Sequence, residues 1–139
     1  MIRTTAVPIL FGALLSNAPL GAQASPQRAM PPSIAGKWMA CLTAEGRTGC
    51  TTWELAVKGD SLWGTDIAPD GQSDLIVGHI QGDRVSFKTG NGCTENVLRR
   101  CTVLVSGTYR GGDGWKADVN DTDNQRHHVF TVTRVTGKP

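Results

Sequence analysis

Residues 51–67 read Thr51-Thr52-Trp53-Glu54-Leu55-Ala56-Val57-Lys58-Gly59-Asp60-Ser61-Leu62-Trp63-Gly64-Thr65-Asp66-Ile67. Thr51, Trp53, Leu55 and Val57 fall at every second position, the spacing that puts side chains on one face of a β-strand. Lys58-Gly59-Asp60 then supplies residues that tolerate a tight-turn backbone, and a second run rich in aromatic and β-branched residues follows. The local rule is therefore a hairpin: two extended segments, one short turn and one apolar face.

The same cadence runs outward in both directions. Short segments rich in Val, Ile, Thr and aromatics recur at 35–43, 50–58, 61–67, 74–80, 84–89, 101–109, 114–119 and 127–135. Between them lie turn formers such as Pro69-Asp70-Gly71, Gln81-Gly82-Asp83 and Gly111-Gly112-Asp113. No stretch keeps apolar residues three and four apart, and a turn at Glu95 to Arg99 is the one helical candidate. Alternation assigns an interior of Trp38, Trp53, Leu55, Val57, Leu75, Val77, Val85, Phe87, Val103, Val105 and Tyr109, joined by Trp115, Ala117 and Val119. In 127–135 two sets compete, Val129 and Val135 against Phe130 and Val132. We expect an all-β fold, an eight-stranded antiparallel up-and-down barrel, because closure leaves no exposed sheet edge. The competing architecture is a two-sheet β-sandwich with 90–100 as its crossover.

The flanks set the compartment. Arg3 precedes a mostly apolar stretch from Ala6 to Leu20 that closes on Ala22-Gln23-Ala24, the layout of a signal peptide over residues 1–24. Pro8, Asn17 and Pro19 interrupt that stretch, which is too short to span a bilayer. Residues 25–33, with Pro31-Pro32-Ser33, read as an extended linker, and 34–136 as a single barrel domain. Removing the leader takes away one arginine and no acid, leaving 115 residues of net charge +1. Near-neutrality argues against nucleic acid or a charged membrane surface as partner. The expected location is secreted or periplasmic, with no membrane attachment after cleavage.

Four cysteines in an oxidising compartment read as a disulfide framework. Strand parity turns Cys41 and Cys50 to the same outer face of one hairpin, and the simplest scheme is Cys41–Cys50 with Cys93–Cys101. Neither pair has metal-ligand spacing or a nearby histidine, so no metal is assigned.

Gly36-Lys37-Trp38 opens the first segment and Phe130-Thr131-Val132-Thr133-Arg134 closes the last. Together they resemble calycin-type barrels, the lipocalins and avidins. Ile34-Ala35-Gly36-Lys37-Trp38 and Leu62-Trp63-Gly64-Thr65 are avidin-like in particular. The resemblance implies that Trp38 plugs the barrel floor while Arg134 packs over its face by cation–π contact. It brings no biotin-binding set, since those polar residues find no counterparts here, and no lipocalin Thr-Asp-Tyr segment is present.

Catalytic motifs are lacking. No nucleophile signature, phosphate loop or zinc helix occurs, and carboxylates such as Glu54 or Asp66 have no motif around them. The adjacent His127 and His128 point to opposite faces, so at most one can join His79. The acidic turn Asp118 to Asn124 lacks the Gly and terminal Glu of a helix-flanked calcium loop. We therefore expect no cofactor and a non-catalytic binding barrel for a small apolar or aromatic ligand at the mouth opposite Trp38, lined by Trp53, Trp63 and Tyr109. The second expectation is a protein-interaction or inhibitor module, with an extracytoplasmic protein held by disulfide-locked loops 43–49 and 90–100. Oligomeric state is not legible.

Overall fold

The computed structural model describes residues 33–137. The expected leader and all of the linker but Ser33 lie outside the described residues. Eight strands follow one another: β1 Gly36–Ala44, β2 Arg47–Lys58, β3 Ser61–Ile67, β4 Ser73–Gln81, β5 Arg84–Thr89, β6 Val103–Thr108, β7 Gly114–Asp121 and β8 Arg126–Arg134. Each pairs antiparallel with the next, and β8 returns to β1 through Trp38 opposite Arg134 and Cys41 opposite Thr131. The sheet is a closed up-and-down barrel, not a sandwich, and no edge strand is left to solvent. A single 3₁₀ turn at Leu98–Arg100 is the only helix among the described residues.

Alternation fills the barrel. Trp38, Ala40, Trp53, Leu55, Phe87, Val105, Trp115, Ala117 and Val132 are buried, while their chain neighbours face outward. In β8, the alternation left open by the sequence resolves to Phe130 and Val132 inside, with Val129 outside. Trp115 fits because Gly107 faces it: a Cβ there would sit 2.8 Å from the indole edge.

β4 reverses the expected parity. Ile76 is fully buried, Leu75 is half-buried and Val77 is exposed. Leu75-Ile76-Val77 is apolar at all three positions, so the strand's own pattern cannot choose a face. Its neighbours choose: Gly78 lies opposite Phe87, where a Cβ would come within 2.5 Å of Phe87 Cβ. Glycine at that inward position admits Phe87, and Ile76 and Asp74 face inward with it.

One end of the barrel is closed. Trp38 donates from Nε1 to the Ile34 carbonyl at 2.8 Å and meets Tyr109 edge-on. The Arg134 guanidinium carbon stands 4.2 Å above the Trp38 ring, with Nη1 donating to the Ala35 carbonyl and Nη2 to Tyr109 Oη. Gly36 makes this approach possible, since a Cβ there would meet Arg134 Nη1 at 2.7 Å. Chain direction puts the turns at 45–46, 68–72 and 122–125 and the segment 90–102 at the opposite end, the mouth.

Both cysteine pairs are joined, Cys41–Cys50 and Cys93–Cys101. The expected loop 43–49 is, however, mostly strand. Thr43 pairs with Thr48 and Ala44 with Arg47, leaving Glu45-Gly46 as a two-residue turn with φ of 53° and 75°. Two positive φ values match the twist of a tight hairpin, which lets pairing run to the tip. The first disulfide thus clamps two paired strands, whereas the second staples an irregular segment.

Candidate functional site

The mouth holds a cavity of about 480 Å³. β2 supplies Thr51 and Trp53, β6 and β7 supply Val103, Val105 and Val119, and β8 supplies Phe130. The Trp53 and Phe130 rings are nearly parallel, 5° apart, and Phe87 meets Trp53 edge-on behind them. Pro69 from the β3–β4 turn and Gly90-Asn91 from the stapled segment complete the rim. Cys93 is fully buried; its N–H donates to the Gly90 carbonyl and its carbonyl accepts from Leu75, so the disulfide holds that wall against β4.

Polar groups interrupt this apolar lining. Asp66 and Asp74 are direct cross-strand partners, and both face inward because Leu62 and Ile76 do. Thr51 Oγ1 donates to Asp66 Oδ1, and Gly92 N donates to Asp74 Oδ1 at 2.8 Å. Thr89, 2% exposed, also lines the cavity, and its hydroxyl has no partner among the described residues; Trp53 Nε1 makes no full hydrogen bond but lies close enough to Asp66 to act on its carboxyl. Native interiors leave few buried polar atoms unpaired, because each costs about 1–3 kcal/mol. Thr89 Oγ1 is such an atom on the cavity wall.

Burial raises the Asp66 carboxyl above its ordinary 3.8; the Thr51 hydroxyl opposes this, the Asp74 charge adds to it, and the nearby Trp53 indole opposes it weakly. A carboxyl whose folded pKa exceeds its unfolded value holds an extra proton in the native state between the two. Stability contributed by that proton is present at low pH and lost as pH rises from 3.8 through the folded value. Asp66→Asn keeps an acceptor for Thr51 and removes the titration. Urea midpoints measured between pH 3.5 and 7 are expected to favour D66N increasingly as pH rises, then level off. A gap that stays constant, or that shifts toward the native protein as pH rises, contradicts this account.

The residues expected to line the mouth separate in space. Trp53 is on the cavity wall. Trp63 is on the outer wall, 43% exposed beside Val77, because the β3 register turns Leu62, Gly64 and Asp66 inward. Tyr109 belongs to the closed end, where its hydroxyl donates to the Gly112 carbonyl and accepts from Arg134. Composition drew attention to the tryptophans, while Asp74 and Thr89 attracted none, since polar residues near strand ends look like ordinary solvated positions.

No family model, curated protein or solved structure matches the chain. The site's own geometry therefore carries the functional argument.

Other groups singled out by the sequence lie outside the cavity. His127 contacts Asp118 at 3.2 Å on the outer surface. Asp121 accepts from the Asn124 side-chain amide and from the backbone N–H groups of Asn124 and Asp123, contacts that lower its carboxyl pKa and account for the acidic turn as a self-bonded loop. Among the described residues no helix is long and apolar enough to cross a membrane, and the two disulfides fit an oxidising compartment.

Proposed function

We propose that this protein is a secreted or periplasmic, non-catalytic binding barrel of calycin type that takes a small apolar or aromatic ligand into its mouth. The observation carrying this reading is the cavity of about 480 Å³ walled by Trp53, Phe130 and three valines and stapled by Cys93–Cys101. Sites for small molecules combine such apolar walls with a few polar anchors, and the cavity falls within their usual size of roughly 300–1,000 Å³. Support for the calycin resemblance comes from eight antiparallel strands closed into a barrel and from Arg134 over Trp38 at its floor.

Titration of the disulfide-intact protein with a panel of neutral, cationic and anionic aromatic molecules tests the proposal through tryptophan fluorescence, since Trp53 lines the cavity. At least one member is expected to give a saturable change. Val103→Phe, which adds bulk on the cavity wall, is expected to weaken that response by about tenfold or more. A panel without a saturable response below about 1 mM, a Kd worth about 4 kcal/mol of binding, overturns the proposal.

A further inference from the structure

The two inward carboxylates define what the cavity would hold. The ion pairs among the described residues join Lys37 to Glu54, Arg110 to Asp83, His127 to Asp118 and Arg134 to Asp113; none includes Asp66 or Asp74. Arg100 folds against Gly92, whose N–H bonds Asp74, yet forms no ion pair with it. A carboxylate offers about four acceptor sites, and the contacts from Thr51 and Gly92 leave most of them open. Charge of one sign, half sunk in an apolar wall without a counter-charge, is an arrangement proteins avoid unless something supplies the partner.

An independent observation points the same way. Thr89 Oγ1 is buried, unpartnered and belongs to a residue of the same wall. An ammonium carries three donors in a compact charge, enough to serve two carboxylates and a hydroxyl together. Phe130, partly buried with Trp53 packed behind it, offers an aromatic surface that accepts both an apolar body and a cation. Among the described residues no group of three or more His, Cys, Asp or Glu converges.

We propose that the occupant of the cavity is an organic cation, an amine or amidine on an aromatic-sized apolar body, its charged head between Asp66 and Asp74 and its body against Phe130 and the apolar wall around it. This deepens the binding-barrel reading and rests on it. A neutral ligand of the same shape leaves both carboxylates unpaired, and an anion meets them as like charge.

Calorimetric titration of the disulfide-intact chain at pH 7 with 2-phenylethylammonium, 2-phenylethanol and phenylacetate tests the assignment. The ammonium is expected to bind tighter than the alcohol by about tenfold or more, with phenylacetate weakest. Asp74→Asn and, separately, Asp66→Asn are expected to remove most of that preference, read as the ratio of ammonium to alcohol affinity on the same variant. An alcohol or acetate that equals or outbinds the ammonium overturns the proposal, as does a wider panel in which only neutral or anionic members bind; the barrel reading survives either result. Silence from every molecule removes the barrel reading and this proposal together. Saturable heat from calcium chloride alone that disappears in D74N also overturns it, as a metal site. The three-ligand comparison on the native sequence needs no variant, so a poorly folding D66N leaves the test intact.

Discussion

Trp38→Ala is expected to lower folding stability by about 3–5 kcal/mol, the usual cost of deleting a large buried aromatic side chain. Trp38 has no exposed surface and sits among Tyr109 at 5.6 Å, Trp115 at 6.5 Å and the Arg134 guanidinium at 4.2 Å. Alanine removes the indole, orphans the Ile34 carbonyl that accepts from Nε1, and strips the face on which Arg134 rests. The barrel is closed by backbone pairing and cannot collapse far into the void, which places the loss in the upper part of the usual range. Denaturant unfolding of the oxidised protein, with an unchanged m-value as the check on comparability, measures it. A loss below about 1 kcal/mol shows that this end of the barrel is not held by Trp38.

Replacing Cys93 and Cys101 together by alanine is expected to cost about 2.5–3 kcal/mol, the chain-entropy value for a closed loop of this length. The Cys41–Cys50 bridge spans nine positions in sequence against eight, so the same model gives it nearly the same value. Binding separates the two. Cys93 anchors Gly90 and Leu75 by backbone hydrogen bonds, and Gly92 next to it bonds Asp74, so loss of the second bridge loosens the cavity wall. Cys41 and Cys50 are opposed positions of a hairpin paired on both sides of them. Cys50 also borders the cavity, but the paired hairpin holds it in place without the bridge; we expect C93A/C101A to weaken ligand binding by about tenfold or more, and by more than C41A/C50A does at equal stability loss. Equal effects on binding contradict the wall role of the 90–100 segment.

The hairpin at 51–67 was legible because Thr51, Trp53, Leu55 and Val57 alternate with polar or smaller neighbours, so one face is chosen without outside help. β4 was not legible for the opposite reason. Leu75, Ile76 and Val77 are all apolar, and the face they present depends on Phe87 needing Gly78 across the sheet. That reversal also decided the site. Had Leu75 and Val77 faced inward, Asp74 would have pointed to solvent and the cavity would have held a single carboxylate. Trp63 shows the same limit, since an aromatic residue within one strand carries no mark of inside or outside until the register of β3 with β2 and β4 is set.

The sequence by itself determined the strand cadence, the turns between them and the parity that puts Cys41 and Cys50 on one face, because these depend on neighbours within a dozen residues. Only the tertiary structure decided that the eighth strand returns to the first, which face of β4 is inner, and that Asp66, Asp74, Thr89 and Trp53 share one cavity. Those outcomes are set by register between strands, from Gly78 against Phe87 in the next strand to Trp38 against Arg134 at the closure. A one-residue change of register would turn the same side chains outward without altering any local preference.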